Sequence, residues 1–162
     1  MKQDKFLVGI LIGIVLLIAA ALVLFFQRQN SQGYMAEDTP TSVINNYVYA
    51  IQQGDLDRAY SYLVDSQGKP SPVAFRSALF TGRFSDSSTG VRIIDEKIIE
   101  KEGIASEAVV HLEVLYSNSG PFEGVYHSED AARLRLQDGE WKISYMPHPY
   151  WQWDWYDEGN DL

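Results

Sequence analysis

Three observations predict an α+β protein. Apolar residues recur at helical spacing between residues 39 and 82, they alternate at strand spacing after Gly90, and one long uninterrupted apolar run lies near the amino terminus. The expected order is therefore an N-terminal transmembrane helix, three further helices, and an antiparallel sheet of about four strands. This divides the chain into a cytoplasmic N-terminus at 1–5, a transmembrane helix at 6–26, a linker at 27–38, a folded domain at 39–146 and an aromatic, acidic tail at 147–162.

The run from Phe6 to Phe26 holds no charged side chain. As a helix rising 1.5 Å per residue it would measure about 31 Å, against a hydrocarbon core of about 30 Å. Gly9 and Gly13 are spaced for close helix approach. A cleaved signal peptide is the competing reading, since Lys2 and Lys5 resemble a charged leader and Ala19-Ala20-Ala21 a cleavage site. Signal segments carry an apolar stretch of about 7–15 residues, and here Leu22 to Phe26 continues past the alanines. Lys2 and Lys5 precede the run, whereas Arg28 is the only cation between Phe26 and Arg58. The positive-inside bias then places the amino terminus in the cytoplasm and the domain outside, in a single-pass protein of the cell membrane.

From Gln27 to Asp38 the chain is polar and aperiodic, which reads as a linker. Thr39 followed by Pro40 suits a cap and first-turn proline. Val43, Ile44, Tyr47, Val48 and Ile51 then recur at three-four spacing until Gly54. Asp55 can cap a second, short helix with Leu56, Ala59, Tyr60 and Leu63 on one face. Ser71-Pro72 opens a third, in which Val73, Phe75, Ala78 and Leu79 are apolar. Beyond Gly90, four strands are expected at 91–101, 104–116, 122–137 and 140–146. The second alternates most clearly, with Ala108, Val110, Leu112, Val114 and Tyr116 on one face and Glu107, His111 and Glu113 on the other. Asp138-Gly139 is the strongest hairpin signal in the chain.

The run SVINNYVYAIQQGDLDRAYSYL at Ser42–Leu63 is similar to the opening of nuclear transport factor 2-like domains, and LRLQDGEWKIS at Leu134–Ser144 is similar to their closing hairpin. The resemblance, over roughly Thr39 to Met146, implies a cystatin-like cone: three helices packed into a strongly curved sheet with a pocket between. Such domains include isomerases, dehydratases, ligand carriers and non-catalytic modules, so fold alone does not choose among them. Membrane-anchored members with this layout resemble binding or accessory modules. The first expectation is accordingly a non-enzymatic binding or assembly module of the cell envelope. The alternative is a small-ligand carrier or isomerase- or dehydratase-like enzyme using the cone, lined by Tyr47, Tyr60 and Tyr116. A homodimer through the open sheet face is implied by the resemblance as well.

Chemistry inside such a cone needs a carboxylate facing a tyrosine, or a His–Asp pair. Asp65, Asp86, His111, Glu113 and His127 are the candidates, with Tyr47, Tyr60, Tyr62 and Tyr116. His111 and Glu113 fall on the face opposite the apolar residues, so a solvated pair is expected; His127 reads as a rim residue and Asp65 as a turn residue. Arg133 and Arg135 read as a solvated sheet face with partners such as Glu113. The chain has no cysteine, 13 basic and 22 acidic residues, and a net charge of −9. This leaves no disulfide or thiolate metal site, and the charge repels nucleic acid. No metal-binding, nucleotide-binding or cofactor motif is present.

The tail is the most individual segment. If extended, it places Trp151, Trp153 and Trp155 on one face and Gln152, Asp154 and Tyr156 on the other, with Tyr150 preceding them. One reading folds it back to complete the core; the other makes these five residues a binding surface for a glycan or an envelope protein.

Overall fold

The computed structural model describes residues 5–30, 33–80, 88–101, 104–117 and 124–156, and the side chains of the first helix from 9 to 22. The chain divides into two compact units, Met1–Tyr34 and Met35–Leu162. The first contains α1, Lys5–Asn30. Here the expectation of a transmembrane helix at 6–26 is corrected: among the described residues no helix is long and apolar enough to cross a membrane. The single-pass placement, with a cytoplasmic amino terminus and an extracytoplasmic domain, rested on that span and falls with it.

The second unit runs α2 (Pro40–Gln53), α3 (Leu56–Ser61), α4 (Pro72–Phe80), β1 (Ser88–Lys101), β2 (Ile104–Ser117), β3 (Val125–Gln137) and β4 (Glu140–Tyr145). The strands form one antiparallel sheet in the order β1-β2-β3-β4, so every strand pairs with its neighbour in sequence. The α+β class, the three helices of this unit and the four strands are as expected.

Local chemistry accounts for the helix ends. The Thr39 hydroxyl accepts from Ser42 N while the Ser42 hydroxyl accepts from Thr39 N, a reciprocal cap that satisfies two otherwise orphaned donors. Gly54 ends α2 at φ 72°, a left-handed conformation that costs glycine nothing. Asp55 caps α3 and the Ser71 hydroxyl accepts from Ala74 N at the start of α4. Within α4, Phe75 and Leu79 are buried and Val73 is exposed.

Val43, Ile44, Tyr47 and Val48 form the buried stripe of α2 and meet the inner face of the sheet, where Ala108, Val110, Leu112 and Val114 of β2, Ala132 and Leu134 of β3, and Ile143 of β4 are all buried. Thr41 joins the two layers by donating from both N and Oγ1 to Glu96 of β1. Asn46, buried on α2, uses its amide to accept from Met35 N at 2.7 Å and to donate to Met35 O at 2.9 Å. Both polar ends are thereby satisfied where water is absent.

The outer edge of β4 is covered. Ile143 N donates to Tyr62 O and Val64 N to Ile143 O, so the segment after α3 runs as a short parallel neighbour to β4. The Gln137 side chain extends that pairing, accepting from Asp65 N at 2.8 Å and donating to Asp65 O at 2.9 Å. An exposed edge is a template for unwanted pairing, and this one is blunted within the chain. Beside it, Tyr62 donates to Glu37 at 2.7 Å and Arg58 lies 2.9 Å from the same oxygen. The tyrosine hydrogen bond, aided by Arg58, holds the Glu37 carboxyl below the ordinary carboxylate range.

Candidate functional site

The inner face of the sheet was the first place expected to hold a site, and its described side chains are packed there out of contact with solvent. Tyr47, Tyr150, Phe75, Ile44, Leu63, Leu112, Leu134, Ile143 and Met146 are all fully buried. The three tyrosines expected to line a pocket each donate a hydroxyl to a backbone carbonyl. Tyr47 donates to Tyr150 O at 2.8 Å, Tyr116 to His148 O at 2.8 Å and Tyr60 to Pro70 O at 2.9 Å. Burial pushes the Tyr47 phenol well above its ordinary value, so it stays a neutral donor. Tyr60 also meets the ring of Phe75 edge-on at 5.4 Å, and Tyr116 stacks on Tyr126 at 5.1 Å.

Two of those bonds hold the tail, which packs against the body of the unit. The His148–Pro149 peptide is cis, and Tyr150, Trp151 and Trp155 are buried. Trp155 N bonds back to Gln152 O, turning the chain so that Trp151 and Trp155 come together at 5.2 Å while Trp153 points out, 85% exposed. The expected row of three rings on one face is therefore corrected: the segment turns where an extended conformation was assumed. Trp155 packs on Phe75 at 5.2 Å, and Trp151 stacks on Tyr156 at 5.5 Å and 15°. Tyr156 fastens the end, its hydroxyl donating to Val64 O at 2.6 Å and its N to Gly68 O at 3.0 Å. Of the five residues expected as a binding surface, Trp153 alone is largely exposed, and Tyr156 is half-buried.

The remaining candidates are dispersed. His111 is exposed on the outer sheet face, across from Asp95 and Ala131. It borders a shallow depression of about 600 Å³ with Asp95, Glu129 and Asp130. Glu113 lies on the same face with Arg92 at 2.8 Å, in place of the partners expected on β3. His127 is exposed on β3, and Asp65 lies just before the turn at 66–69 rather than in it, 3.8 Å from Lys69. Asp86 lies outside the described residues. Among the described residues no group of three or more His, Asp or Glu side chains is placed to hold a metal ion.

A concavity bordered by described residues lies on the outer side of β3 and β4, beside the tail and the turn after Val64. It is an open cleft of about 660 Å³. Arg133 and Arg135 from β3 line it with Asp130 of the same strand and with Ser144 and Tyr145 from β4; Trp151, Trp155 and Tyr156 form one wall, and Ser66 and Gln67 another. Arg133 and Arg135 share a face because they are two residues apart on a strand. The Arg133 guanidinium lies 5.9 Å from the centre of the Tyr145 ring, a cation–π contact that steadies it while leaving its in-plane N–H groups open. Glu107, the cross-strand partner of Arg135, gives its carboxylate to Lys101 at 2.8 Å. Among the described residues neither Arg133 nor Arg135 forms an ion pair within 4.0 Å. Reading these arginines as a solvated face missed the cleft. Its walls come from segments far away in sequence, and no local signal places them.

No family model matches the chain, and no curated protein matches it. Among solved structures, the chain is similar to a SEC-C motif-containing protein from Rhodopseudomonas palustris, with a TM-score of 0.50 and 14% identity over 68% of this chain and 79% of that one. A SEC-C motif-containing protein from Psychrobacter arcticus gives a TM-score of 0.49 and 9% identity over 67% of this chain and 60% of that one. An aromatic ring hydroxylase-like protein from Novosphingobium aromaticivorans gives 0.42 and 14% identity over 64% and 80%. At such identity the first likeness shows a shared fold and nothing more.

Proposed function

We propose that this chain is a non-enzymatic binding or assembly module on a nuclear transport factor 2-like domain, and that it recognises its partner with its outer surface. The order of three helices followed by a four-stranded antiparallel meander supports the domain reading. The observation that carries the functional reading is the filled interior. A carrier or enzyme of this architecture needs a void on the inner face with a few convergent polar groups. Here that face is occupied by Tyr47, Phe75, Leu112, Leu134 and the tail's own Tyr150, and the Tyr47 hydroxyl is bonded to the backbone.

The test is a titration of the full chain with benzene, small enough to enter any apolar cavity, followed by NMR of the Val110, Leu112, Leu134 and Ile143 methyl groups. The expected result is that these resonances stay in place. Saturable shifts confined to them would reveal an interior pocket and replace this reading with that of a ligand carrier or enzyme.

A further inference from the structure

The outer cleft carries two arginines against one carboxylate, Asp130, and so a net positive lining in an anionic protein. With a net charge of −9, carboxylates are the commoner charge on this chain, yet among the described residues the two guanidiniums on the cleft floor meet none within 4.0 Å. An arginine presents a fork of donors matched to a carboxylate, and Arg133 is steadied by Tyr145. Arg133 and Arg135 stand two residues apart on β3, so their backbones are about 6–7 Å apart. That spacing is also the separation of side chains at alternate positions of another extended chain. We propose that the cleft captures an extended acidic peptide segment of a protein partner, with carboxylates at alternate positions pairing with Arg133 and Arg135; this rests on reading the chain as a binding module.

Two features favour a peptide over other anions. A sugar chain would need an open aromatic face, but Trp151 is buried, with Tyr156 stacked on it and Trp155 at its edge, and Arg133 lies over the Tyr145 ring. A long polyanion such as nucleic acid would extend past the cleft onto an acidic surface. A short segment makes its ion pairs within the cleft, while the charge of the rest of the protein is screened beyond about 8 Å at physiological salt.

The probes are three fluorescein-labelled octapeptides of otherwise identical Gly/Ser/Thr sequence, titrated by anisotropy into the full chain at low salt. One carries glutamates at its third and fifth positions, one at its third and fourth, and one glutamines at its third and fifth. The alternate-glutamate peptide is expected to bind at least tenfold more tightly than the glutamine peptide and several-fold more tightly than the adjacent-glutamate peptide. Arg133→Gln and Arg135→Gln are each expected to weaken it about tenfold, with thermal unfolding of the variants unchanged. Equal binding of the glutamate and glutamine peptides, or affinity unaffected by Arg135→Gln, would overturn the proposal. So would a labelled oligothymidylate competing for the cleft more tightly than the peptide. These outcomes are independent of the benzene titration: silent interior methyls with no peptide discrimination refute the acidic-segment assignment alone, whereas interior shifts refute the binding-module reading.

Discussion

Replacing Trp155 by alanine removes a ring that is 7% exposed and packed against Phe75 and Trp151. A buried aromatic side chain withdraws about 150–250 Å² from water, which at about 25 cal/mol per Å² corresponds to about 4–6 kcal/mol. Part of that area is already covered in the unfolded chain, and alanine retains a little of it. The expected loss is therefore about 3–5 kcal/mol, as for other large-to-small core replacements. For a domain of this size that lowers Tm by about 10–20 °C. Trp151→Ala should behave alike, since Trp151 is 6% exposed and joins Tyr145, Trp155 and Tyr156. Trp153→Ala removes an equally large ring that is 85% exposed, and it should alter stability by no more than about 0.5 kcal/mol. Urea unfolding of the three variants, followed by far-UV circular dichroism, reads these differences as shifts in midpoint. Equal effects at 151, 153 and 155 would refute the turned tail.

Other predictions follow from the bonds that fasten the tail. Tyr47→Phe deletes the 2.8 Å bond to Tyr150 O, a buried hydrogen bond; a loss of about 0.5–1.5 kcal/mol is expected in urea unfolding. Gly68→Ala requires an alanine at φ +82° with its Cβ 2.8 Å from Tyr156 Cα. It should cost about 2 kcal/mol or more and free the end of the tail, measurable as faster amide exchange at Tyr156. Burial raises the phenols of Tyr47, Tyr62, Tyr116, Tyr145 and Tyr156 above their ordinary value. Groups whose folded values are raised contribute stability that is fully present below the unfolded value of about 10 and is lost as pH rises through the folded values. Absorbance at 295 nm should thus show only part of the 10 tyrosines ionising at ordinary pH, the rest appearing together with loss of the near-UV circular dichroism. A single titration near pH 10 with the native signal intact would contradict this.

What could be read in the sequence was local. The Thr39 cap, the Gly54 stop and the Asp138-Gly139 turn each depend on residues within a few positions of one another, and the structure places them as the sequence predicts. The turn residues Asp138 and Gly139 both adopt positive φ, 55° and 83°, as a tight hairpin turn demands. The alternation of β2 was legible because one sheet face is dry. The tail was illegible for the opposite reason: its path is set by Tyr47, Phe75, Tyr116 and Gly68, all distant along the chain. The same holds for the segment after α3 that covers β4, and for the cleft, whose arginines look like ordinary surface charges until the tail is in place.

Recognition by the outer surface, as proposed, depends on an interior packed with the chain's own side chains and completed by the tail. Acrylamide quenching of tryptophan emission in the full chain and in Trp153→Phe tests this most directly, because Trp141, Trp151 and Trp155 are buried and Trp153 is not. The expected result is a readily quenched fraction in the unaltered chain that disappears in the variant, with the remaining emission strongly protected. A quenchable fraction that persists in Trp153→Phe would mean that the tail rings are open to solvent and the interior incomplete, contradicting the account.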